Sequence, residues 1–287
     1  MLLEDVIDEY LYHCMAKGFT KKTMINKRQE YKQLKIFLKV KRAITELETV
    51  TVFDLRAYVR GKQKDGLKPQ SIVSMSRMVS AFFNWCVSEE YLKENPMKKV
   101  EIPKVPKLVL KGFTTDEVTA MINAFTYKNY ISIRNKGMIA MMADTGMRSM
   151  EIRGLKVENV KESTILVYGK GNKERIVFVS PALKRILIKY ERMRKMYVQD
   201  KITTDNYFLS YKGTEISHVG LWNMIKKAGD IVGIDGKRLS PHTFRHFYSV
   251  QCLMAGIDIY SLSRLLGHSD VSTTQRYLHS LNDEQLL

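Results

Sequence analysis

Cysteine and long apolar runs are scarce in this chain, and each shortage closes off a class of protein. Three cysteines, Cys14, Cys86 and Cys252, are spread over 287 residues. They are odd in number and form no CxxC or other metal-ligand spacing, so neither a disulfide scaffold nor a zinc module is expected. Each lies in an apolar helical pattern, where a free thiol packs as a small hydrophobe, as suits a reducing compartment. No window approaches the roughly twenty uninterrupted apolar residues of a membrane-spanning helix. The opening stretch MLLEDVIDEYLYHC sets Glu4, Asp5, Asp8 and Glu9 where a secretory signal would be positive. Internal repeats and low-complexity tracts are also missing. The absences point to a soluble, intracellular globular chain, long enough for two ordinary domains.

What the chain has in excess is positive charge, a formal +17. The excess is divided: residues 1–110 carry 21 Lys/Arg against 13 Asp/Glu, and residues 111–287 carry 26 against 17. A folded domain with a basic tail would not look like this. Two basic domains facing one polyanion would, and nucleic acid suits that pattern better than an anionic membrane surface.

The first hundred residues read as helical throughout. LLEDVIDEYLYHCMAKG repeats apolar residues at three-and-four spacing and stops at Gly18. Thr20 caps the next segment, whose apolar side holds Met24, Tyr31, Leu34, Phe37 and Leu38. From residue 17 to 42 that region has ten Lys/Arg and one acid, Glu30. Thr51 caps a third helix. A fourth carries the stripe Ile72, Met75, Met78, Val79, Phe82, Phe83 and Cys86, completing a small four-helix bundle. Pro96, Pro103 and Pro106 then interrupt the helical pattern, and a basic linker is expected over 99–111 between domains at 1–98 and 112–287.

The second half restarts at Thr114-x-x-Glu117, a capping-box pattern. A long helix follows to Gly146, its Met138, Met141 and Met142 reading as core. TILVYGKGNKERIVFVS is the one convincing hairpin. Helices are expected over 181–199, 216–232, 241–255, 258–266 and 271–280. The fold class is mainly α, an N-terminal four-helix bundle plus a mixed α+β domain with a small antiparallel sheet.

Four stretches of this half put cations or titratable groups at loop–helix junctions. In DTGMRSMEIRGL, Arg148 opens a helix and Glu151 follows at i+3. In GKGNK, Lys170 sits at the hairpin tip between glycines that permit close approach. In LSPHTFRHFYS, Ser240 and Pro241 start a helix, so His242 and Arg245 share the face of its first turn and favour an anion. His246 reads as packing. In GHSDVSTTQRYLH, Tyr277 lies nine residues after His268.

None of these is specific alone, but the ordered set, with its flanks TGMRSMEIRGL, GKGNKERIV, SPHTFRHFYS and LLGHSDVSTTQRY, closely resembles the tyrosine recombinases, the phage-integrase family. The close resemblance spans about 112–280; the basic bundle is similar, more loosely, to the family's SAM-like core-binding domain. It implies that Tyr277 attacks a DNA phosphodiester, leaving a 3′-phosphotyrosyl link and a free 5′-hydroxyl. Arg148 and Arg245 would grip the non-bridging oxygens. Lys170 would protonate the 5′-oxygen, and His242 and His268 would hydrogen-bond the phosphate and assist the phenol proton. Glu151 would hold neighbouring side chains. A phenol, with an ordinary pKa near 10, is a poor nucleophile at neutral pH unless cations favour its ionised form, which gives the clustering of cations a physical reason.

The resemblance further implies no cofactor, a double-stranded DNA partner with an inverted-repeat core site, and a homotetramer on two duplexes exchanging strands through a Holliday junction. An accessory protein or second recombinase is a further partner of such enzymes. It also implies a cytoplasmic, nucleoid-associated protein encoded by a bacterium or mobile element. Lys21, Lys22, Lys27, Arg28 and Lys173 are candidate DNA contacts. Two rivals are a type IB topoisomerase, which relaxes supercoils without a defined target, and a non-catalytic DNA-binding regulator on the same fold. The Gly-His box and the compact size favour the recombinase over the first, and the full set of catalytic positions favours it over the second. Because the bundle begins almost at Met1, the simple two-domain, Xer-like type is expected. The tail LHSLNDEQLL, with Leu278, Leu281 and Leu286 or Leu287, is expected to exchange cyclically between protomers as a short apolar plug.

Overall fold

Thr20, Thr51 and Thr114 each stand at the head of a helix, as their places ahead of apolar-periodic segments predict. Thr20 Oγ1 accepts from the Thr23 amide at 3.3 Å. The Thr51 amide and hydroxyl both donate to the Asp54 carboxylate, at 2.9 and 2.6 Å. Thr114 and Glu117 form the reciprocal box, at 3.2 and 2.7 Å. Such caps contribute about 1 kcal/mol each. The computed structural model describes residues 1–105, 111–169 and 174–278, and the chain divides into two units, Met1–Lys107 and Leu108–Leu287.

The first unit is built from α1 (Leu3–Ala16), α2 (Lys21–Arg42), α3 (Val52–Lys64) and α4 (Pro69–Ser88). Its core joins Tyr31, Leu34 and Leu38 of α2, Leu55 of α3, and Val79, Phe82, Phe83 and Cys86 of α4, all closed to solvent. A single 3-10 turn, Pro96–Lys99, follows, and Met97 and Val100 are buried in the same core. The proline-bearing stretch therefore begins as part of this unit.

One expectation in α2 needs correction. Lys21, Lys22 and Arg28 are exposed, but Lys27 is only 6% exposed. Its ammonium donates to the hydroxyls of Tyr10 and Tyr31 at 3.0 and 3.3 Å. Positions 24, 27, 31, 34 and 38 follow the three-and-four spacing of a buried stripe, and Lys27 occupies one of them. It is withdrawn from the candidate DNA contacts.

The second unit surrounds α6 (Tyr130–Thr145), which is buried on nearly all sides by α5 (Thr115–Asn123), α8 (Pro181–Val198) and α10 (Pro241–Met254). Met138, Met141 and Met142 lie in that core, as the sequence suggests. Short α7 (Ser149–Gly154) leads to β1 (Thr164–Tyr168) and β2 (Glu174–Phe178), a two-stranded antiparallel sheet pairing Thr164 with Phe178 and Tyr168 with Glu174. The hairpin tip, with Lys170 and Lys173, lies outside the described residues. So does the tail from residue 279, including Leu281, Leu286 and Leu287. The remaining helices are α9 (His218–Val232), α11 (Ile259–Leu266) and α12 (Ser272–Gln275).

Among the described residues, α12 covers only Ser272–Gln275 of the expected 271–280. Val271 offers no side-chain cap, Thr273 and Thr274 are poor helix formers, and Tyr277 sits in the following turn. All three cysteines are buried free thiols. Among the described residues, no helix is long and apolar enough to cross a membrane.

Candidate active site

Gly146 prepares the site by ending α6 with φ +59°. A Cβ there would also fall 2.4 Å from the Tyr248 ring, so glycine is required on two counts. The turn delivers Arg148 to the start of α7. Its amide donates to Glu151 Oε2 at 2.7 Å, and its Nη1 donates to Oε1 at 2.9 Å. Its Nη2 donates to the Gly267 carbonyl at 3.0 Å, across 119 residues of sequence.

Glu151 is buried and accepts from two arginines. Arg175, on β2, meets it bidentately, Nη1 to Oε1 at 2.8 Å and Nη2 to Oε2 at 2.7 Å. Burial alone would push the Glu151 carboxyl up; the hydrogen bonds and charge of Arg175, with those of Arg148, outweigh it and hold the carboxyl below its ordinary range.

Arg245 is 4% exposed on α10. Its Nη1 donates to the Gly146 carbonyl at 2.8 Å and its Nη2 to the Leu266 carbonyl at 2.7 Å. Nη2 also lies 2.9 Å from His268 Nε2. Burial, then the neighbouring Arg148, brings its pKa down to about 10, which leaves it a cation at neutral pH. A guanidinium only donates, so His268 Nε2 must accept, and the ring proton belongs on Nδ1, which reaches Thr274 Oγ1 at 2.7 Å. Burial and the fields of Arg245 and Arg148 hold His268 down to about 4, so the ring is neutral. Both of its nitrogens are engaged within the protein.

His242 is different. It is exposed at the first turn of α10, and among the described residues its ring makes no hydrogen bond. Partial desolvation, with Arg238, Arg245, Arg148 and His218 nearby, lowers its pKa and leaves a neutral acceptor. Ser240 precedes the helix as expected, but its hydroxyl pairs with that of Thr243 at 3.1 Å and caps no amide.

Tyr277 is half-buried. Its ring centroid lies 5.5 Å from that of His246 and 6.4 Å, nearly parallel, from that of His268. His246 is buried, as a packing residue should be, but what it packs against is the Tyr277 ring.

Of the sequence-derived candidates, Arg148, Glu151, His242, Arg245, His268 and Tyr277 thus converge from four places: α7, α10 and the turns after α11 and α12. Lys170 and Lys173 lie outside the described residues. Two contributors were missed. Arg175 had a signal, a charged residue at an inward-facing strand position between outward Glu174 and Ile176. Thr274 had none. Arg148 and Arg175 share the Glu151 carboxylate and Arg245 pairs with none, so the cluster carries surplus positive charge suited to an anion. Among the described residues no cluster of His, Cys, Asp or Glu could hold a metal ion.

The model of the phage integrase family matches residues 111–284, and that of the phage integrase SAM-like domain matches residues 2–102. The tyrosine recombinase XerD of Halalkalibacterium halodurans is 30% identical over 267 residues, covering 92% of this chain and 89% of that protein. The XerD of Listeria innocua is 27% identical over 281 residues, covering 96% and 94%. Among solved structures, a XerH site-specific recombinase bound to a palindromic difH substrate shares the fold with a TM-score of 0.74 at 17% identity, covering 96% of this chain and 91% of that one. A lambda integrase dimer on a COC′ core site does so with a TM-score of 0.72 at 18% identity, covering 95% and 97%.

Proposed function

The chain belongs to the phage integrase family and is a tyrosine site-specific recombinase, and from that premise we propose how its own residues cut and rejoin DNA. Tyr277 Oη attacks the phosphorus of a DNA phosphodiester, and the bond from phosphorus to the 5′-oxygen breaks. The phenol proton passes to His242, the neutral imidazole whose ring nitrogens make no hydrogen bond among the described residues. The 5′-oxygen takes its proton from Lys170. Arg148 and Arg245 hold the non-bridging oxygens with N–H donors left over from their protein contacts. The observation that carries this reading is the convergence of two arginines, two histidines and a tyrosine around one surplus of positive charge.

His268 has a different part from His242. Its neutral ring accepts from Arg245 and donates to Thr274, so it orients the guanidinium. Attack by a 5′-hydroxyl on the phosphotyrosyl ester reverses the steps and reseals the strand, with no cofactor required. The recombinases on difH and on the COC′ site are bound to DNA, and double-stranded DNA with an inverted-repeat core is this chain's proposed partner. We assign residues 1–98 to gripping the duplex and 112–287 to catalysis. Four protomers would act on two duplexes through a Holliday junction, in the cytoplasm and on the nucleoid.

The test is covalent capture. Wild type and Tyr277→Phe are incubated with fragmented genomic DNA and denatured in detergent, and protein-linked DNA is recovered and sequenced. Adducts in wild type alone, enriched for one inverted-repeat site, are expected. An adduct in Tyr277→Phe would remove Tyr277 as the nucleophile; tyrosine-dependent capture with no consensus would indicate a relaxing enzyme.

A further inference from the structure

We propose that Arg175 is a positioning residue for strand transfer: by locking Glu151 to the end of α11, it places Arg148 and His268 for the phosphate. The inference rests on the reading of the Tyr277 site given above.

Arg175 faces inward from β2 with its side chain 10% exposed. Two of its N–H groups hold Glu151 bidentately, and its Nε donates to the Leu265 carbonyl at 2.9 Å. A side chain committed on both edges acts through its partners. Three consecutive carbonyls at the end of α11 are each held by an arginine. Leu265 accepts from Arg175 at 2.9 Å, Leu266 from Arg245 at 2.7 Å, and Gly267 from Arg148 at 3.0 Å. These are the orphan carbonyls of a helix C-terminus, at the negative end of its dipole, where cations are favoured. His268 is the next residue. Its ring direction follows from how the turn at Gly267 is held.

The approach is close enough to constrain the sequence. Gly267 has φ +65°, and a Cβ there would lie 3.1 Å from Arg175 Cδ. The glycine of the Gly-His pair therefore serves the turn and makes room for Arg175. The same side chain ties β2, one strand of the hairpin whose tip sequence contains Lys170, to α11. Lysine cannot substitute, because a single ammonium cannot hold a carboxylate bidentately and a carbonyl on its other edge.

The test compares full-length wild type with Arg175→Lys, which keeps the charge and removes the fork. The measurements are the melting temperature, retention of a fluorescein-labelled genomic duplex, the rate of covalent capture on fragmented genomic DNA, and the titration of the His268 ring by carbon-13 NMR. The His268 resonance is identified by its loss in His268→Asn. Capture should slow by about 10- to 100-fold, the scale of a misplacement near 1 Å, with duplex retention unchanged. The His268 titration should move up toward the ordinary histidine range although no charge has been removed. A wild-type capture rate in Arg175→Lys would overturn the proposal, and so would slowed capture with the His268 titration unmoved. If wild type itself forms no adduct, the Tyr277 reading fails, and the NMR comparison alone decides whether Arg175 positions His268. If Arg175→Lys does not fold, Gly267→Ala, which displaces Arg175 from the opposite side, is put through the same measurements.

Discussion

Lys27 in the first unit and Arg245 in the second are both nearly closed to solvent, at 6% and 4% exposure, yet they are accommodated in opposite ways. Among the described residues, Lys27 pairs with no carboxylate. Its ammonium rests on two phenol oxygens and lies 4.7 Å over the Tyr10 ring, and burial pulls its pKa down. Nothing around it asks for an anion. Arg245 belongs to a set of three guanidiniums set against the one Glu151 carboxylate, which only Arg148 and Arg175 bond; its own acceptors are the Gly146 and Leu266 carbonyls and His268 Nε2. Carbonyls satisfy N–H geometry without cancelling charge. The first arrangement is a finished piece of core; the second stays electrostatically incomplete until an anion arrives. Burial of a cation is thus no guide to function, whereas the balance of charge around it is.

The sharpest test of that contrast is Arg245→Lys. The charge survives, but the fork spanning Gly146, Leu266 and His268 does not. Covalent adduct formation should fall by about 100- to 1,000-fold, or roughly 3–4 kcal/mol of transition-state stabilisation, the scale of losing a preorganised donor. The assay is the initial rate of capture at saturating DNA. Wild-type rates in this variant would mean that positive charge alone suffices, and the distinction between the two clusters would collapse.

Acid should also separate the two units. His268 is held down to about 4, and His242 and His246 are lowered too, each with burial as the first cause. A depressed histidine takes up its proton in the unfolded chain first. The second unit therefore loses stability as pH falls from the ordinary histidine value of 6.5 toward about 4. In the first unit, burial raises the Glu30 carboxyl, which has the opposite sign: its contribution grows as pH falls. Each unit carries one tryptophan, Trp85 and Trp222. Urea unfolding followed in Trp85→Phe reports on the second unit, and in Trp222→Phe on the first. Between pH 6.5 and 5 the midpoint in Trp85→Phe should drop further. Equal drops would show that the histidines are not responsible.

These expectations differ in how far they could be read from the chain alone. The candidate site residues were legible because each is coupled to a local backbone device: Arg148 to the stop at Gly146, His242 and Arg245 to the Pro241 helix start, His268 to the turn at Gly267. Helix starts at Thr20, Thr51 and Thr114 were legible for the same reason. What escaped depends on long-range pairing. Arg175 finds Glu151 and Leu265 across 24 and 90 residues, and nothing in GKGNKERIV names those partners. The difference in hydrogen bonding between the two histidines was hidden likewise, since only the Arg245 and Thr274 contacts show His268 to be engaged. Lys27 was misjudged because its charge was weighed and its place in the spacing of α2 was not.

That misjudgement supplies the smallest predicted effect, and the one most specific to the comparison. Lys21 and Lys22 are exposed near the start of α2, while Lys27, less than two turns later, is enclosed. If the exposed lysines meet phosphates, replacing both with Gln should reduce the slope of log affinity against log salt by about 0.9 for each phosphate no longer neutralised. Lys27→Met should leave that slope as in wild type, because its ammonium releases no counterion on binding. Stability should also change little, by about 1 kcal/mol or less. Methionine fills similar space without a buried charge, and Tyr31 retains its own acceptor, the Met78 carbonyl at 2.9 Å. Titrating a labelled genomic duplex over a salt series, alongside urea midpoints, reads both quantities. A Lys27→Met slope as shallow as that of the double variant would mean that the ammonium reaches DNA after all, and the first unit's buried cation would have to be counted with those of the second.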